Sequence, residues 1–267
     1  MIRYVLAFAV ALGAGVPTAR AGDDLPQVLS ADAEAAAIRS AQATGLLVYR
    51  HDQAAAVATD AALALARVKR DKRLSGWLTE ERADGIVVTF IDQTPAALYR
   101  VPVWADGVGG KAEILESPAA LTAYEAGAAT ARAVAMKTDF FQPCSNTYNT
   151  VVLPGAAASG KDWVVYLLPA TTRNDTVPIG GTFRIEVDDN KVVARRGFTK
   201  TCIALHTGPE VGGLMITHLL DPVPTEAHVY WSLWARKTMY VATAPDGTTW
   251  AVEGAAIRRL KDDDGTR

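Results

Sequence analysis

The pattern of hydrophobic residues changes at about residue 141, and this change limits the folds open to the chain. From 141 to about 250, short β-branched and aromatic runs are broken by Gly, Pro, Asn and Asp, which predicts strands and no helix. In TFRIEVD (182–188), apolar and polar residues alternate, as in a strand with one buried and one solvated face. The second half is therefore predicted to be an antiparallel β-sheet meander.

The first half mixes helical and strand patterns. Residues 31–44 and 53–70 are rich in good helix formers, and LLVYR (46–50), which follows Gly45, predicts a short strand between them. Ser117 and Pro118 are typical of the first positions of a further helix. Three more strands are predicted at 75–81, 86–92 and 97–104, with RADG as the turn between the first two. The predicted fold class is α+β: a mixed helix and strand half followed by the antiparallel sheet.

The first 21 residues have the three parts of a secretory signal peptide. Arg3 precedes an uncharged apolar run from Val5 to Val16, and Ala19-Arg20-Ala21 is a cleavage motif. The apolar run is shorter than the roughly 20 residues that span a bilayer. We expect cleavage after Ala21, a mature chain without a transmembrane anchor, and a location in the periplasm or outside the cell.

The domain organisation follows from these composition changes. The predicted regions are the signal peptide (1–21), a mixed α/β region (22–140), an antiparallel β region (141–260) and a disordered tail (261–267). No long linker separates the two large regions, so residues 22–260 are also compatible with a single domain.

The chain has two cysteines, Cys144 and Cys202, and both lie in the part predicted to be exported. An even number of cysteines in an oxidising compartment predicts a disulfide. The alternative, a catalytic cysteine, needs an adjacent base. His206 is four residues beyond Cys202, which on a strand places it on the same face but well away from the thiol.

The stretch ITHLLDPVPTEAHVYWSL (216–233) holds two of the four histidines. A hairpin centred on DPVPT (221–225) would set His218 opposite His228, with Glu226 alongside. The same register would give the core an apolar face that includes Met215, Thr217 and Leu219. The three polar residues are candidates for a metal site or for acid–base catalysis. However, no dense metal motif such as HExxH is present, and a pair of solvated surface histidines is the alternative.

Further binding candidates lie outside this stretch. The basic run RVKRDKR (67–73), with Arg70 and Arg73, is a candidate surface for an anionic polymer or an envelope protein. Alternatively, these cations complement the C-terminal end of a helix. Tyr148 and Tyr230 are candidate recognition residues. With 27 Lys and Arg against 29 Asp and Glu, the charge argues against nucleic-acid binding.

Several catalytic and cofactor motifs are missing from the sequence. It contains no G-x-S-x-G, Walker A or C-x-x-C motif, and we expect no cofactor. The predicted function is therefore non-catalytic: binding or inhibiting a partner at the cell envelope. The main alternative is an envelope hydrolase, with or without a metal, that uses His218, His228 and Glu226. An assembly factor without a small ligand is a third possibility, and the sequence does not predict the oligomeric state.

Overall fold

The computed structural model describes residues 26–138, 143–155, 162–171, 173 and 175–260; the predicted signal peptide and tail lie outside them. The helices of the described residues are α1 (Ala31–Leu63), α2 (Ala66–Lys69), α3 (Ala123–Met136) and α4 (Glu226–Ala235). The strands are β1 (Gly76–Arg82), β2 (Gly85–Ile91), β3 (Ala97–Trp104), β4 (Glu113–Ala119), β5 (Tyr148–Pro154), β6 (Trp163–Pro169), β7 (Thr176–Val177), β8 (Phe183–Asp188), β9 (Lys191–Gly197), β10 (Leu205–His206), β11 (Leu214–His218), β12 (Met239–Thr243), β13 (Thr249–Glu253) and β14 (Ala256–Arg259).

In the part of the chain that the structure describes, the strands form three four-stranded sheets and one two-stranded sheet, which confirms the α+β class. Strands β1-β2-β3-β4 form an antiparallel meander in the first half. Strands β5-β6-β8-β9 form a second antiparallel sheet. The third, β11-β12-β13-β14, is antiparallel except for its first pair, which is parallel. Strands β7 and β10 pair with each other.

The clearest strand predictions are confirmed. Strands β1, β2 and β3 occupy the three predicted segments, and the RADG turn joins β1 to β2 with Arg82 opposite Gly85. In β8, burial alternates along the strand as TFRIEVD predicts. These segments are predictable because side chains on a strand point to its two faces in turn.

The strand predicted at residues 46–50 is wrong, because α1 continues through it without a break. Gly45 lies inside the helix at the point where α4 crosses α1. A Cβ atom at Gly45 would lie 2.5 Å from the Cβ of Val229, so the missing side chain permits the close contact. Glycine inside a helix costs roughly 1 kcal/mol, which the packing of the two helices offsets.

The helix start predicted at Ser117 is also wrong, because Ser117 and Pro118 lie in β4. Helix α3 begins after Thr122, which forms a capping box with Glu125. The Thr122 hydroxyl accepts from the Glu125 N–H at 3.1 Å, and a Glu125 carboxylate oxygen accepts from the Thr122 N–H at 2.8 Å. This is the T-x-x-E pattern of a helix start, which outweighs the Ser-Pro pair.

The predicted hairpin at 216–233 is wrong, and so is the expected lack of helix between 141 and 250. Strand β11 ends at His218, and α4 then connects β11 to its parallel neighbour β12. The predicted core face is reversed: Ile216 and His218 are buried, whereas Met215 is 67% exposed. A helix is the ordinary connection between two parallel strands. Residues 226–235 can form one because the spacing of their apolar residues is compatible with a helix as well as with a strand.

The core involves residues from both halves of the chain. Ala54, Ala58 and Ala62 of α1 pack against the first sheet. Earlier on the same helix, Ala41 and Val48 join a cluster made mostly of residues from the second half. The domain bounds given above stay a prediction. In this arrangement α4 packs beside α1, and residues of both helices line two clefts.

The predicted disulfide between Cys144 and Cys202 is confirmed. The S–S distance is 2.06 Å and the two Cα atoms lie 5.4 Å apart. Cys144 precedes β5 and Cys202 follows β9, which are the two edge strands of the second sheet. The bond therefore joins segments that enter and leave this sheet on opposite edges.

Candidate functional site

A half-open cleft of about 420 Å³ lies between α1, the second sheet and the first turn of α4, and we call it the Glu226 cleft. Such a volume lies in the range of small-molecule sites. Its lining residues are Ser40, Thr44, Leu47, Leu153, Pro154, Val164, Tyr166, Arg184, Glu186 and Glu226. One wall is largely apolar and the remainder is polar, so the cleft suits a ligand that is itself amphiphilic.

The polar part of the cleft is a connected ion-pair network. The Arg184 guanidinium lies 2.9 Å from a Glu226 carboxylate oxygen and 3.1 Å from a Glu186 carboxylate oxygen. The Tyr166 hydroxyl donates to Glu226 at 3.3 Å. A buried carboxylate is tolerated when it is paired in this way, and the N-terminal end of α4 adds a favourable dipole. Two carboxylates thus share one guanidinium.

Tyr166 is a hydrogen-bond donor in this network and not a base. Burial, followed by the nearby negative charge of Glu226, raises the pKa of the Tyr166 hydroxyl well above its usual range. The hydroxyl is therefore protonated at neutral pH. Its hydrogen bond restricts the orientation of the Glu226 carboxylate.

The two histidines singled out in the sequence do meet, although not across a hairpin. The rings of His218 in β11 and His228 in α4 lie 4.6 Å apart, edge to face. His218 Nε2 is 2.8 Å from a carboxylate oxygen of Asp221, and Arg196 donates to the same carboxylate at 2.6 Å and 3.3 Å. Although burial acts in the opposite direction, the hydrogen bonds from His218 and Arg196 lower the pKa of Asp221 to about 2.

His228 is held as a neutral imidazole. Its Nδ1 atom accepts from the Thr225 N–H at 3.0 Å, which places the ring proton on Nε2. Nε2 is buried and has no hydrogen-bond partner among the described residues. Burial, helped by the neighbouring His218, moves the pKa of His228 well below its ordinary value.

Glu226 does not join the histidines, although the sequence grouped all three. Glu226 and His228 are two residues apart on α4, so their side chains point about 200° apart around the helix. Glu226 contacts Tyr166 and Arg184, and neither histidine lines the Glu226 cleft. Among the described residues, no group of three or more His, Cys, Asp or Glu side chains is arranged to hold a metal ion. A metal or catalytic role for His218 and His228 stays a prediction.

The other candidate residues occupy different environments. Arg70 is exposed, while Arg73 forms a two-point ion pair with Asp71, with N–O distances of 2.8 Å and 2.6 Å. The Tyr148 hydroxyl accepts from the Cys144 N–H at 2.9 Å, beside the disulfide. Tyr230 is buried and its hydroxyl donates to Asp52. Of the four candidates, Tyr230 is therefore the one that offers no surface for recognition.

Sequence reasoning missed Tyr166, Arg184, Arg196 and Asp221. For Arg184, a signal was present: Arg184 and Glu186 alternate with apolar residues in β8, which places both on the polar face of the strand. For Tyr166 there was none, because this residue is brought to Glu226 by the tertiary fold across 60 positions of sequence.

Comparisons with known proteins found no protein family, no curated protein and no solved structure that matches this chain. None of the helices in the described residues combines the length and the apolarity that crossing a membrane requires.

Proposed function

We propose that this chain is an exported binding protein without catalytic activity, and that the Glu226 cleft takes a ligand with an apolar chain and a cationic head. The observation that carries the proposal is the charge of the cleft. Its charged lining residues are Arg184, Glu186 and Glu226, so one guanidinium faces two carboxylates. The remaining negative charge is complementary to an ammonium group, and it opposes an anionic ligand.

The apolar wall supports the second part of the ligand description. Leu47, Leu153 and Val164 line the cleft beside the polar network. An alkyl chain laid on this wall would lose contact with water, which contributes roughly 0.8 kcal/mol for each buried CH₂ group. An anionic polymer, in contrast, would require the basic run that contains Arg70 and Arg73.

The alternative function, an envelope hydrolase, has less support. It requires Glu226 to act with His218 and His228, but the contacts of Glu226 are with Arg184 and Tyr166. Burial keeps the Tyr166 hydroxyl protonated by raising its pKa, so it does not supply a base in place of the imidazoles. The polar groups of the cleft are paired with one another, which suits recognition.

Export is tested by the N-terminus of the mature protein. The disulfide supports an oxidising compartment outside the cytoplasm. We expect N-terminal sequencing of the protein recovered from its native host to begin at Gly22, the residue after the predicted cleavage site. A mature chain that begins at Met1 would contradict export through this signal.

The cleft is tested with three ligands that share one alkyl chain. We expect n-hexylammonium to bind, and n-hexanol and hexanoate to bind more weakly, because only the ammonium pairs with the two carboxylates. Glu226→Gln removes one of these charges and should lower the affinity for n-hexylammonium by roughly 10-fold or more, as expected for a hydrogen bond to a charged group. Isothermal titration calorimetry measures all three ligands.

The matched control is Glu253→Gln, which removes a carboxylate that is also paired with an arginine, Arg258, but is more than half exposed and lies outside the cleft. This variant should bind n-hexylammonium like the wild type. Equal binding of hexanoate and n-hexylammonium, or the same affinity in Glu226→Gln as in Glu253→Gln, would refute the proposed site.

A further inference from the structure

A second cleft of about 430 Å³ lies at the other end of α4, and we call it the Arg236 groove. Helix α1 contributes Tyr49 and Gln53, which are four residues apart and so share one helix face. Trp104 at the end of β3 and Arg236 after α4 also line the groove. Its full lining is Tyr49, Arg50, Gln53, Ala54, Val57, Gly85, Ile86, Val103, Trp104, Ala105, Asp106, Gly107 and Arg236. Two aromatic residues and two arginines thus line one groove.

The backbone at Arg236 is unusual for this residue type. Arg236 has φ 53° and ψ 40°, the left-handed conformation that ends many helices. Glycine normally occupies this position, because a Cβ atom crowds the backbone in the left-handed conformation. Two other non-glycine residues in the described part of the chain have positive φ, Asp189 and Asn190, and their conformation is explained by the tight turn that they form between β8 and β9. Arg236 is exposed and lines the groove, so a role in binding there would explain an arginine at a position that favours glycine.

The charges and the aromatic surface define a ligand class. Arg50 is ion-paired with Glu81, which does not line the groove, and Asp106 accepts from the Val108 N–H in a turn. Arg236 takes part in none of the ion pairs found among the described residues. Trp104 is 46% exposed, which leaves much of its ring open to contact. A guanidinium matches the two oxygens of a carboxylate, and an exposed indole stacks on a flat ring.

We propose that the Arg236 groove binds a small aromatic carboxylate, with the ring against Trp104 and the carboxylate on Arg236. The site is separate from the Glu226 cleft, since the two share no lining residue and favour ligands of opposite charge. It does not depend on the function proposed above. The two sites lie at the two ends of α4, whose 10 residues span about 15 Å.

The probe is indole-3-acetate, compared with indole-3-ethanol, which has the ring alone, and with acetate, which has the carboxylate alone. Indole-3-acetate should bind at least roughly 10-fold more tightly than either, because only it engages both Trp104 and Arg236. Binding is measured by ligand-observed NMR and calorimetry. Failure of indole-3-acetate to bind, or equal binding of indole-3-ethanol, overturns the proposal.

Arg236→Gly separates a structural from a binding role, because the two predict opposite changes. Glycine relieves the left-handed backbone, so the Tm should rise by about 2–4 °C, while the affinity for indole-3-acetate should fall at least roughly 10-fold. Asn190→Gly is the matched control: it relieves the same conformation in the β8–β9 turn and should raise the Tm without changing binding. Unchanged binding in Arg236→Gly overturns the proposal. If this variant does not fold, Trp104→Ala decides, and wild-type affinity in that variant overturns the proposal equally.

Discussion

The free energy of unfolding should fall steeply as the pH is lowered from 6.5 to about 4.5. His51 is 1% exposed, and its Nδ1 lies 2.8 Å from the Thr79 hydroxyl. Burial lowers the pKa of His51 to about 4, despite the opposing charge of Glu81. Above pH 6.5 the imidazole is neutral in both the folded and the unfolded chain. Below it, the unfolded chain takes up a proton that the folded chain excludes, so acid favours unfolding.

The size of the effect follows from the shift. Each pH unit between 6.5 and the folded pKa of about 4 costs roughly 1.4 kcal/mol, so His51 alone accounts for about 3 kcal/mol over the whole interval. His228 is buried as a neutral ring and its lowered pKa adds to the loss. Asp52 has the opposite effect on stability. Burial raises the pKa of this carboxyl, so as the pH falls the folded chain takes up this proton before the unfolded chain does, which offsets part of the loss of unfolding free energy. Asp221 contributes only below pH 4, since its folded pKa is about 2.

Urea unfolding at a series of pH values from 7.5 to 4.5 measures this dependence, and stopping there leaves Asp221 ionised. In His51→Gln, the free energy of unfolding should depend less steeply on pH than in the wild type. The number of protons taken up on unfolding should fall by about one, because one buried imidazole is gone. His206 is the matched control: its side chain is 67% exposed, and His206→Gln leaves the buried His51 in place, so the steep loss of stability in acid should remain. An NMR titration of His51 in the wild-type protein gives the same answer directly, and a pKa near 6.5 would contradict the prediction.

Loss of the disulfide should cost about 4 kcal/mol of unfolding free energy. Cys144 and Cys202 are 58 residues apart in sequence, and closing a loop of this length restricts the unfolded chain by about that amount. The intervening residues include β5, β6, β8 and β9, which form the second sheet and supply most of the Glu226 cleft. The loss should therefore also weaken n-hexylammonium binding as the temperature or the urea concentration rises.

The measurement is urea unfolding of the oxidised protein with and without dithiothreitol. A double variant, Cys144→Ala with Cys202→Ala, should resemble the reduced wild type and should not respond to the reductant, which controls for other effects of dithiothreitol. A decrease below about 1 kcal/mol on reduction would show that the bond adds little to the stability of this sheet.

Gly45 illustrates where prediction from sequence ends. In isolation, a glycine followed by LLVYR is typical of a helix end and a strand. The helix continues because α4, encoded about 180 positions later, packs against Gly45 at a distance that any side chain would prevent. No local pattern contains this information, because the contact that favours the helix is a long-range one.

Glu226 and His228 show the same limit within a candidate site. A hairpin would have placed both residues on one face, whereas α4 points them about 200° apart. One side chain then lines a cleft, and the other is buried against His218. The contact between the two histidines was predicted from a hairpin that does not form. It is present because β11 and α4 bring the same two residues together.

The sequence by itself determined the α+β class, the alternating faces of β8, the β1–β2 turn and the disulfide. Each of these depends on local periodicity, turn chemistry or a count of two cysteines. The tertiary structure decided that residues 46–50 and 226–235 are helical. It also decided the parallel pairing of β11 with β12 and the residues that line the two clefts. Short apolar segments satisfy the spacing of a helix and of a strand alike, so the choice between them depends on the surfaces against which they pack.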